Sequence, residues 1–393
     1  MKRKILVVTG TRAEYGLLRP LLGELMQEPS LELLLAVTGM HLSPEFGMTV
    51  TEIEQDGFRI DRRIDMLLGA DTGAGTGKSI GLGVIGFAQI LGELQPQLML
   101  VLGDRFEILA AVVAALMAKV PVAHIHGGEV TTGAIDDAIR HAITKMSHWH
   151  FASTQTYRNR IIQLGEAPER VHCVGGLGVD MIAQTNLLNR DELERSLGIR
   201  FQARNLLVTF HPATLDAEPS SVQMQQLLDA MSAFPDVGLV FTFPNADTGG
   251  RELIGQIKEF VASRPHAHAF ASLGQLRYLS CMALCDGVVG NSSSGLLEAP
   301  TLKKGAVNIG DRQRGRLQAQ SVINCEPRTE AIKMALHTLF SSAFQARLQD
   351  SVNPYGESGA SKRIVNVLKD IEIGAAPAKH FYDLKDGLIP KIQ

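Results

Sequence analysis

The chain has 393 residues, 45% hydrophobic and 20% charged, with 38 basic against 41 acidic side chains and a net charge of −3. That length exceeds what one hydrophobic core holds and asks for two domains, and the composition is that of a folded chain, not a disordered one. With no basic block, nucleic acid is excluded as a main partner, and any polyanionic ligand has to be met by local cations.

The four cysteines (Cys173, Cys281, Cys285, Cys325) form no CxxC pair, and Cys281 and Cys285, one helical turn apart, read as core. No signal segment follows the amino-terminal Met-Lys-Arg-Lys, and no apolar run reaches about 18 residues. The expectation is a soluble, reduced, cytoplasmic protein with no membrane partner.

A strand over residues 4–9 ends in Gly10-Thr-Arg12-Ala-Glu14-Tyr-Gly16, and a helix follows with Leu17, Leu18, Leu21, Leu22 and Leu25 on its apolar side. The loop lacks GxGxxG, so a dinucleotide fingerprint is absent. After a second strand, 31–38, the spacing predicts a helix from Ser43 to about Gln55, with Ser43 as N-cap and Pro44 at its first position. The stretch 69–83 is rich in glycine and contains Gly77-Lys78-Ser79, but Thr72 stands where a P-loop needs glycine. It reads as a mobile loop, a lid over the site.

Residues 98–102 form a continuous apolar run, as buried parallel strands do, and end in Gly103-Asp104-Arg105-Phe-Glu107 before a helix over 108–118. The next strand, 120–125, leads into His124-Ile-His126-Gly-Gly-Glu129 and a helix beginning near Ile135. On that helix Asp137, Arg140, His141 and Thr144 share one face at i, i+3, i+4 and i+7. Strands at 149–152 and 171–174 flank a helix over 154–164. Polar loops all fall on one edge of these β-α repeats, which indicates a doubly wound parallel sheet.

A polar, helical stretch near 184–204 places a domain boundary close to residue 180, and the second half repeats the logic. Its strands end in His211-Pro212, in Pro244-Asn245-Ala-Asp247, in Asn291-Ser292-Ser293-Ser294-Gly295, and in Gly310-Asp311-Arg312-Gln-Arg314-Gly-Arg316. The serine turn, opening a helix that contains Glu298, is suited to anions: backbone N–H groups, hydroxyls and the positive helix end point one way. The Arg312/Arg314/Arg316 cluster suits a diphosphate. Asn353-Pro-Tyr precedes a last helix, 361–371, expected to return to the first domain. The first domain is thus 1–180 with about 355–393, and the second 181–354.

Facing carboxyl edges create one cleft. One wall offers Arg12, Asp104, Arg105, Glu129, Asp136, Asp137 and Arg140, and the other His211, Asn245, the serines, Glu298 and Arg312. Cations and a helix end suit a nucleotide diphosphate, and carboxylates suit proton chemistry on an attached group. A nucleotide-sugar is the simplest ligand that fits both walls.

Gly-Thr-Arg12-Ala-Glu-Tyr, Leu-Gly-Asp104-Arg-Phe-Glu, His-Ile-His126-Gly-Gly-Glu129, Ile-Arg140-His-Ala-Ile-Thr-Lys145, Gly-Asn-Ser292-Ser-Ser-Gly and Gly-Asp-Arg312-Gln resemble, in order and across the chain, the hydrolysing UDP-GlcNAc 2-epimerases, in particular the bacterial enzymes that feed sialic acid synthesis. The resemblance implies a two-domain glycosyltransferase-B-like fold, no metal and no other cofactor, water as co-substrate, and a homodimer or homotetramer. It implies loss of UDP from C1 as a base removes the C2 proton, then hydration of the resulting 2-acetamidoglucal to N-acetylmannosamine.

By motif matching, Asp104, Glu129 and Asp137 are the acid/base candidates, in an order left open, and Arg140 orients them. His211 lies near the diphosphate, where it protonates or binds the leaving phosphate. Ser292, Ser293, Glu298 and Arg312 match UDP-binding positions, with Glu298 expected on ribose hydroxyls. Arg12, Arg105, His126 and Asn245 complete the substrate set. Glu129 carries over only from the sialate-type branch, because the Gly-Gly-Glu motif reads differently elsewhere in the family. The x-spaced pairs His124/His126 and His148/His150 read as packed or hydrogen-bonded residues, and Trp149 as core. Three alternatives stay open: an epimerase acting on UDP-2,4-diacetamido-2,4,6-trideoxyglucose for legionaminic acid, a glycosyltransferase of the same fold, and a non-catalytic nucleotide-sugar sensor.

Overall fold

The computed structural model describes residues 2–69, 72–131, 134–212, 218–244, 249–372 and 378–384. Seven strands, β1 (Arg3–Thr9), β2 (Leu31–Thr38), β3 (Arg62–Ile64), β4 (Leu98–Leu102), β5 (Val122–Ile125), β6 (Trp149–Ala152) and β7 (Val171–Cys173), form a parallel sheet in the order β3-β2-β1-β4-β5-β6-β7. Around it lie α1 (Arg12–Gln27), α2 (Val50–Gln55), α3 (Gly73–Leu94), α4 (Phe106–Met117), α5 (Asp136–Met146), α6 (Gln155–Gln163) and α7 (Leu177–Ala183).

The second parallel sheet, in the order β10-β9-β8-β11-β12-β13, comprises β8 (Arg204–Thr209), β9 (Val237–Thr242), β10 (Ala267–Phe270), β11 (Gly287–Gly290), β12 (Gly305–Ile309) and β13 (Val322–Cys325). Its helices are α8 (Arg190–Leu197), α9 (Ser220–Ser232), α10 (Gly250–Ala262), α11 (Gly274–Leu284), α12 (Ser294–Leu297), α13 (Thr329–Phe340) and α14 (Ser342–Arg347), and α15 (Ala360–Asp370) ends the series. In each sheet the strand order reverses at the first strand, between β1 and β4 and between β8 and β11, where open α/β sheets present a crevice.

The period-two alternation of a strand divides β1 between two cores. Ile5 and Val7 join Leu18, Leu21, Leu22 and Leu25 of α1, while Leu6 and Val8 join Phe87 of α3 and Ile108 of α4. The α1 core also takes Ile364, Val365 and Leu368 of α15. Asp180, buried on α7, caps α15 by accepting from the backbone N–H groups of Gly359, Ala360 and Ser361.

Two expectations are corrected. The glycine-rich stretch 69–83 is not a loop: from Gly73 it is the start of the 22-residue α3, N-capped by Thr72, whose Oγ1 accepts from Gly75 N–H at 3.1 Å. The glycines serve close packing. A Cβ on Gly83 would stand 2.9 Å from Ala110 Cβ of α4, and one on Gly86 would stand 2.6 Å from Ile64 Cγ2. The helix expected over 43–55 is broken: Pro44–Phe46 is a 3-10 turn, and α2 begins only at Val50. Gly47 at φ +88° followed by Met48 at φ +47° interrupts the right-handed path.

Candidate active site

The two carboxyl edges face each other, and α1 packs against both α7 and α11. Arg140 is the centre of the first wall. It lies on the second turn of α5 with only 1% of its surface exposed. Its guanidinium reaches Asp104 at the end of β4, Asp137 Oδ1 one turn back (3.3 Å), the Glu129 carbonyl (3.1 Å) and Thr131 Oγ1 (2.9 Å). Thr131 N–H donates to Asp137 Oδ1 at 2.5 Å, closing the loop onto the helix. A buried guanidinium is tolerable only with its donors paired to anions and carbonyls, and these groups supply that pairing. The face inferred from spacing is therefore the inward face of α5: Thr144 is fully buried, and His141 is 3.6 Å from Asp137.

Glu129 turns its carboxylate away from Arg140. Its Oε1 accepts from Ser153 Oγ at 3.1 Å and lies 3.7 Å from His126 Nδ1, and its Oε2 lies 3.4 Å from Arg316 of the second domain. His126 adopts φ +63°, and its Nε2 accepts from Leu177 N–H at 3.3 Å. Burial pushes its pKa down, so the ring is neutral and carries its proton on Nδ1, toward Glu129. His124 is likewise neutral, pushed to about 3 by burial, with Nε2–H donating to the Gly103 carbonyl at 2.7 Å. His150 pairs with the buried Glu166 at 3.0 Å. His124, His126 and His150 thus have separate partners.

At the head of α1, Arg12 faces Glu52 of α2 and Tyr278 and Arg277 of α11, so it looks across to the second domain, and burial lowers its pKa. Arg105 turns onto the first wall's own frame: its Nε donates to Glu107 at 3.2 Å and its guanidinium lies over the Phe106 ring.

The second wall is organised by Asn291. Its side chain accepts from His211 N–H (2.7 Å) and donates to the His211 carbonyl (2.8 Å), while its own carbonyl accepts from Arg312 (3.2 Å) and Gln313 (2.8 Å). One residue therefore ties the ends of β8, β11 and β12 together. Gly290 beside it sits at φ +135°, with Thr209 O only 1.9 Å from where a Cβ would be, so only glycine lets β11 turn there. Ser292 Oγ bonds Ser294 Oγ at 3.3 Å and accepts from Ser294 N–H at 3.4 Å. The helix opened by Ser293 is a single turn of four residues, so anion affinity there rests on hydroxyls and backbone N–H groups more than on a helix dipole. Burial pushes the Glu298 carboxyl up to about 7, and it packs against the start of α7, where a Cβ on Gly178 would meet Oε1 at 3.1 Å.

The arginine cluster divides three ways. Arg312 goes to Asn291, Arg314 is an exposed partner of Asp311, and Arg316 is buried against Glu129. The three arginines grouped by spacing as a diphosphate cluster thus meet three different partners. Asn245 and Asp247 lie outside the described residues.

Sequence reasoning passed over Thr131, Ser153, Asn291 as an organiser, and a tyrosine pair. Tyr157 and Tyr355 hydroxyls are 3.1 Å apart and bind the Leu317 N–H (2.9 Å) and carbonyl (3.2 Å), holding the loop after β12 against the first domain. The Asn-Pro-Tyr motif was the one available signal, since Asn353 bonds the Leu297 carbonyl and Thr301 while Tyr355 reaches Tyr157.

Two facing parallel-sheet domains with an acid-lined first wall and a serine-bearing second wall define an α/β protein of glycosyltransferase-B-like architecture. Its fold matches that of a UDP-GlcNAc 2-epimerase from Neisseria meningitidis solved with UDP-GlcNAc, at TM-score 0.79 and 20% identity over 94% of this chain and 100% of that one. Residues 23–369 match the UDP-N-acetylglucosamine 2-epimerase family, and the chain belongs to it. It is 38% identical to the Campylobacter jejuni GDP/UDP-N,N'-diacetylbacillosamine 2-epimerase (hydrolyzing), covering 98% of this chain and all of the relative. It is also 38% identical to the Escherichia coli polysialic acid biosynthesis protein P7 (98% of each chain), and 35% identical to the Legionella pneumophila UDP-N,N'-diacetylbacillosamine 2-epimerase (hydrolyzing), over 95% of this chain and 97% of the relative. The chain is an enzyme of this hydrolysing 2-epimerase type.

Proposed function

We propose that the chain converts a UDP-linked 2-acetamido sugar and water to UDP and the free 2-epimeric sugar, with UDP-GlcNAc giving N-acetylmannosamine as the first reading. The observation that carries this is Arg140, which gathers Asp104, Asp137 and the Glu129 backbone at one buried point on the cleft wall opposite the serine turn.

A sugar C2–H is a very weak acid until the C1–O bond begins to break. In the first half-reaction a carboxylate takes the C2 proton, the C–H electrons form C1=C2, and the C1–O pair leaves with UDP. In the second, water gives hydroxide to C1 while C2 is reprotonated on the opposite face. Two or more acid/base groups are needed around the ring, with Asp104, Glu129 and Asp137 in those roles. Ser292, Ser293, Arg312 and His211 receive the diphosphate, and the buried Glu298 receives the ribose. Arg12 closes the nucleotide side.

A second reading is UDP-2,4-diacetamido-2,4,6-trideoxyglucose, favoured by the names of the relatives at 38% and 35% identity. Both sugars share the C2 chemistry and differ at positions 4 and 6. Incubation of each in deuterated water, followed by NMR, separates them: free N-acetylmannosamine deuterated at C2 establishes the first reading. Turnover of only the diacetamido sugar establishes the second, and no UDP release from either overturns both.

A further inference from the structure

Arg316 is a cation with no task in that reaction. It lies on the loop after β12, in the second domain's sheet, yet its side chain is 11% exposed and its Nη2 stands 3.4 Å from Oε2 of Glu129, itself 3% exposed, on the first domain's wall. The next residue is clamped by the Tyr157–Tyr355 pair, so the arginine is held in place from the first domain's side. Glu129 has few other supports: Ser153 Oγ at 3.1 Å and the neutral His126 at 3.7 Å, both on Oε1. Burial works against the guanidinium's charge, and the neighbouring acids, Glu129 first among them, outweigh it and push its pKa up. Glu298 of the second domain also feels the Arg316 charge, so this one cation stands between a carboxylate of each wall.

We propose that Arg316 is a positioning residue for Glu129: brought in by the second domain, it completes the carboxylate's environment only when the two domains meet, so that Glu129 is held for proton transfer in the closed cleft alone. The proposal rests on the epimerase reading for Glu129's role in that transfer, and on the structure alone for the contact. A buried ion pair is strongly dependent on both partners being present, because removal of either leaves the other desolvated and unpaired. A cleft that opens far enough to release Leu317 from the Tyr157–Tyr355 pair separates Arg316 from Glu129 and returns both groups to water. Of its described side-chain partners Glu129 then keeps Ser153 and His126. Proton removal before the nucleotide is enclosed is thereby disfavoured.

The alternative role is direct: Arg316 as a ligand of the diphosphate. The two differ in what moves when the side chain is changed. With the full-length enzyme and the sugar it turns over, R316M is expected to lower kcat about a hundredfold, the scale of a misplaced acid/base group, while the UDP dissociation constant by calorimetry stays within about threefold. R316K keeps a charge at similar reach and is expected to recover part of kcat. In the E129Q background R316M is expected to change kcat by less than about threefold, since the group it positions is already gone.

UDP affinity falling in step with kcat/KM, or a full hundredfold loss persisting in E129Q, overturns the proposal. Should R316M fold poorly, R316K carries the same comparison of kcat against UDP affinity. Chemical denaturation of E129Q, R316M and the double variant reads the contact without turnover: non-additive stabilities support the pair, and additive ones overturn it. An enzyme releasing no UDP from either sugar while its stabilities remain non-additive would sink the epimerase reading and leave the Arg316–Glu129 contact standing.

Discussion

Glu14 sits inside α1's capping box, its Oε2 accepting from the Gly10 (2.8 Å) and Thr11 (3.1 Å) N–H groups, with Glu107 beside it. Burial first, and then the Glu107 charge, pushes its carboxyl up to about 8. A folded-state pKa above the ordinary 4.5 means a stabilising contribution that is complete below pH 4.5 and lost as pH rises through about 8. The wild-type protein is therefore expected to lose stability between pH 5 and 8, whereas E14Q, whose amide oxygen accepts the same two N–H groups, loses less. Thermal melts at the two pH values check this: a gap of a few degrees at pH 8 that closes at pH 5 is expected, on the scale of about 2–4 °C per kcal/mol. Parallel pH dependence of the two proteins would mean that Glu14 is ionised throughout. At the same scale, the polar face of α5 was legible from spacing. Its burial was not, because a periodic stripe of acid, guanidinium and imidazole reads the same facing water or facing an acid from another strand.

The helix α3 shows what spacing does not decide. Its glycines lower helix propensity, and from propensity alone the stretch reads as loop. What overrides that is a close approach: Gly83 and Gly86 let α3 lie against α4 and β3, burying Phe87, Ile90 and Leu91. Gly77 and Gly81 on the outer side meet nothing within 4 Å. The two groups should respond oppositely. G83V is expected to destabilise by about 1–3 kcal/mol through overpacking, and G77A or G81A to stabilise by about 0.5–1 kcal/mol through the unfolded chain and helix propensity. Equilibrium denaturation of the three variants checks the signs; G83V as stable as the wild type would remove the packing account of this helix.

Across the whole molecule, the link between domains is partly buried and partly superficial. The Tyr157–Tyr355–Leu317 and Arg316–Glu129 contacts are buried, whereas Arg251 and Glu45, joined at 2.7 Å, are exposed on both sides and hold the cleft mouth only weakly. A ligand that touches both walls shifts such a two-domain equilibrium toward closure by its differential affinity. UDP at a hundred times its dissociation constant is accordingly expected to raise stability by about 2.7 kcal/mol, and to change the small-angle scattering profile. A raised Tm with unchanged scattering would place UDP on the second domain alone.

By itself the sequence determined the doubly wound parallel sheets, most of their strands, and the falling of the Asp104, Glu129, His211, Asn291 and Arg312 motifs at a carboxyl edge. Those follow from strand runs, caps and helical periodicity, which act over a few residues. It determined the family resemblance as well, because the motifs stand in unbroken order. Only the tertiary structure decided that α3 is a helix, that the loop after β12 sends its three arginines to three places, and that Asn291 joins three strand ends. It also placed the carboxylate of Glu129 against the opposite domain. Each of these depends on burial and charge between groups far apart in the chain, and in water, before the chain folds, such groups exert almost no force on one another.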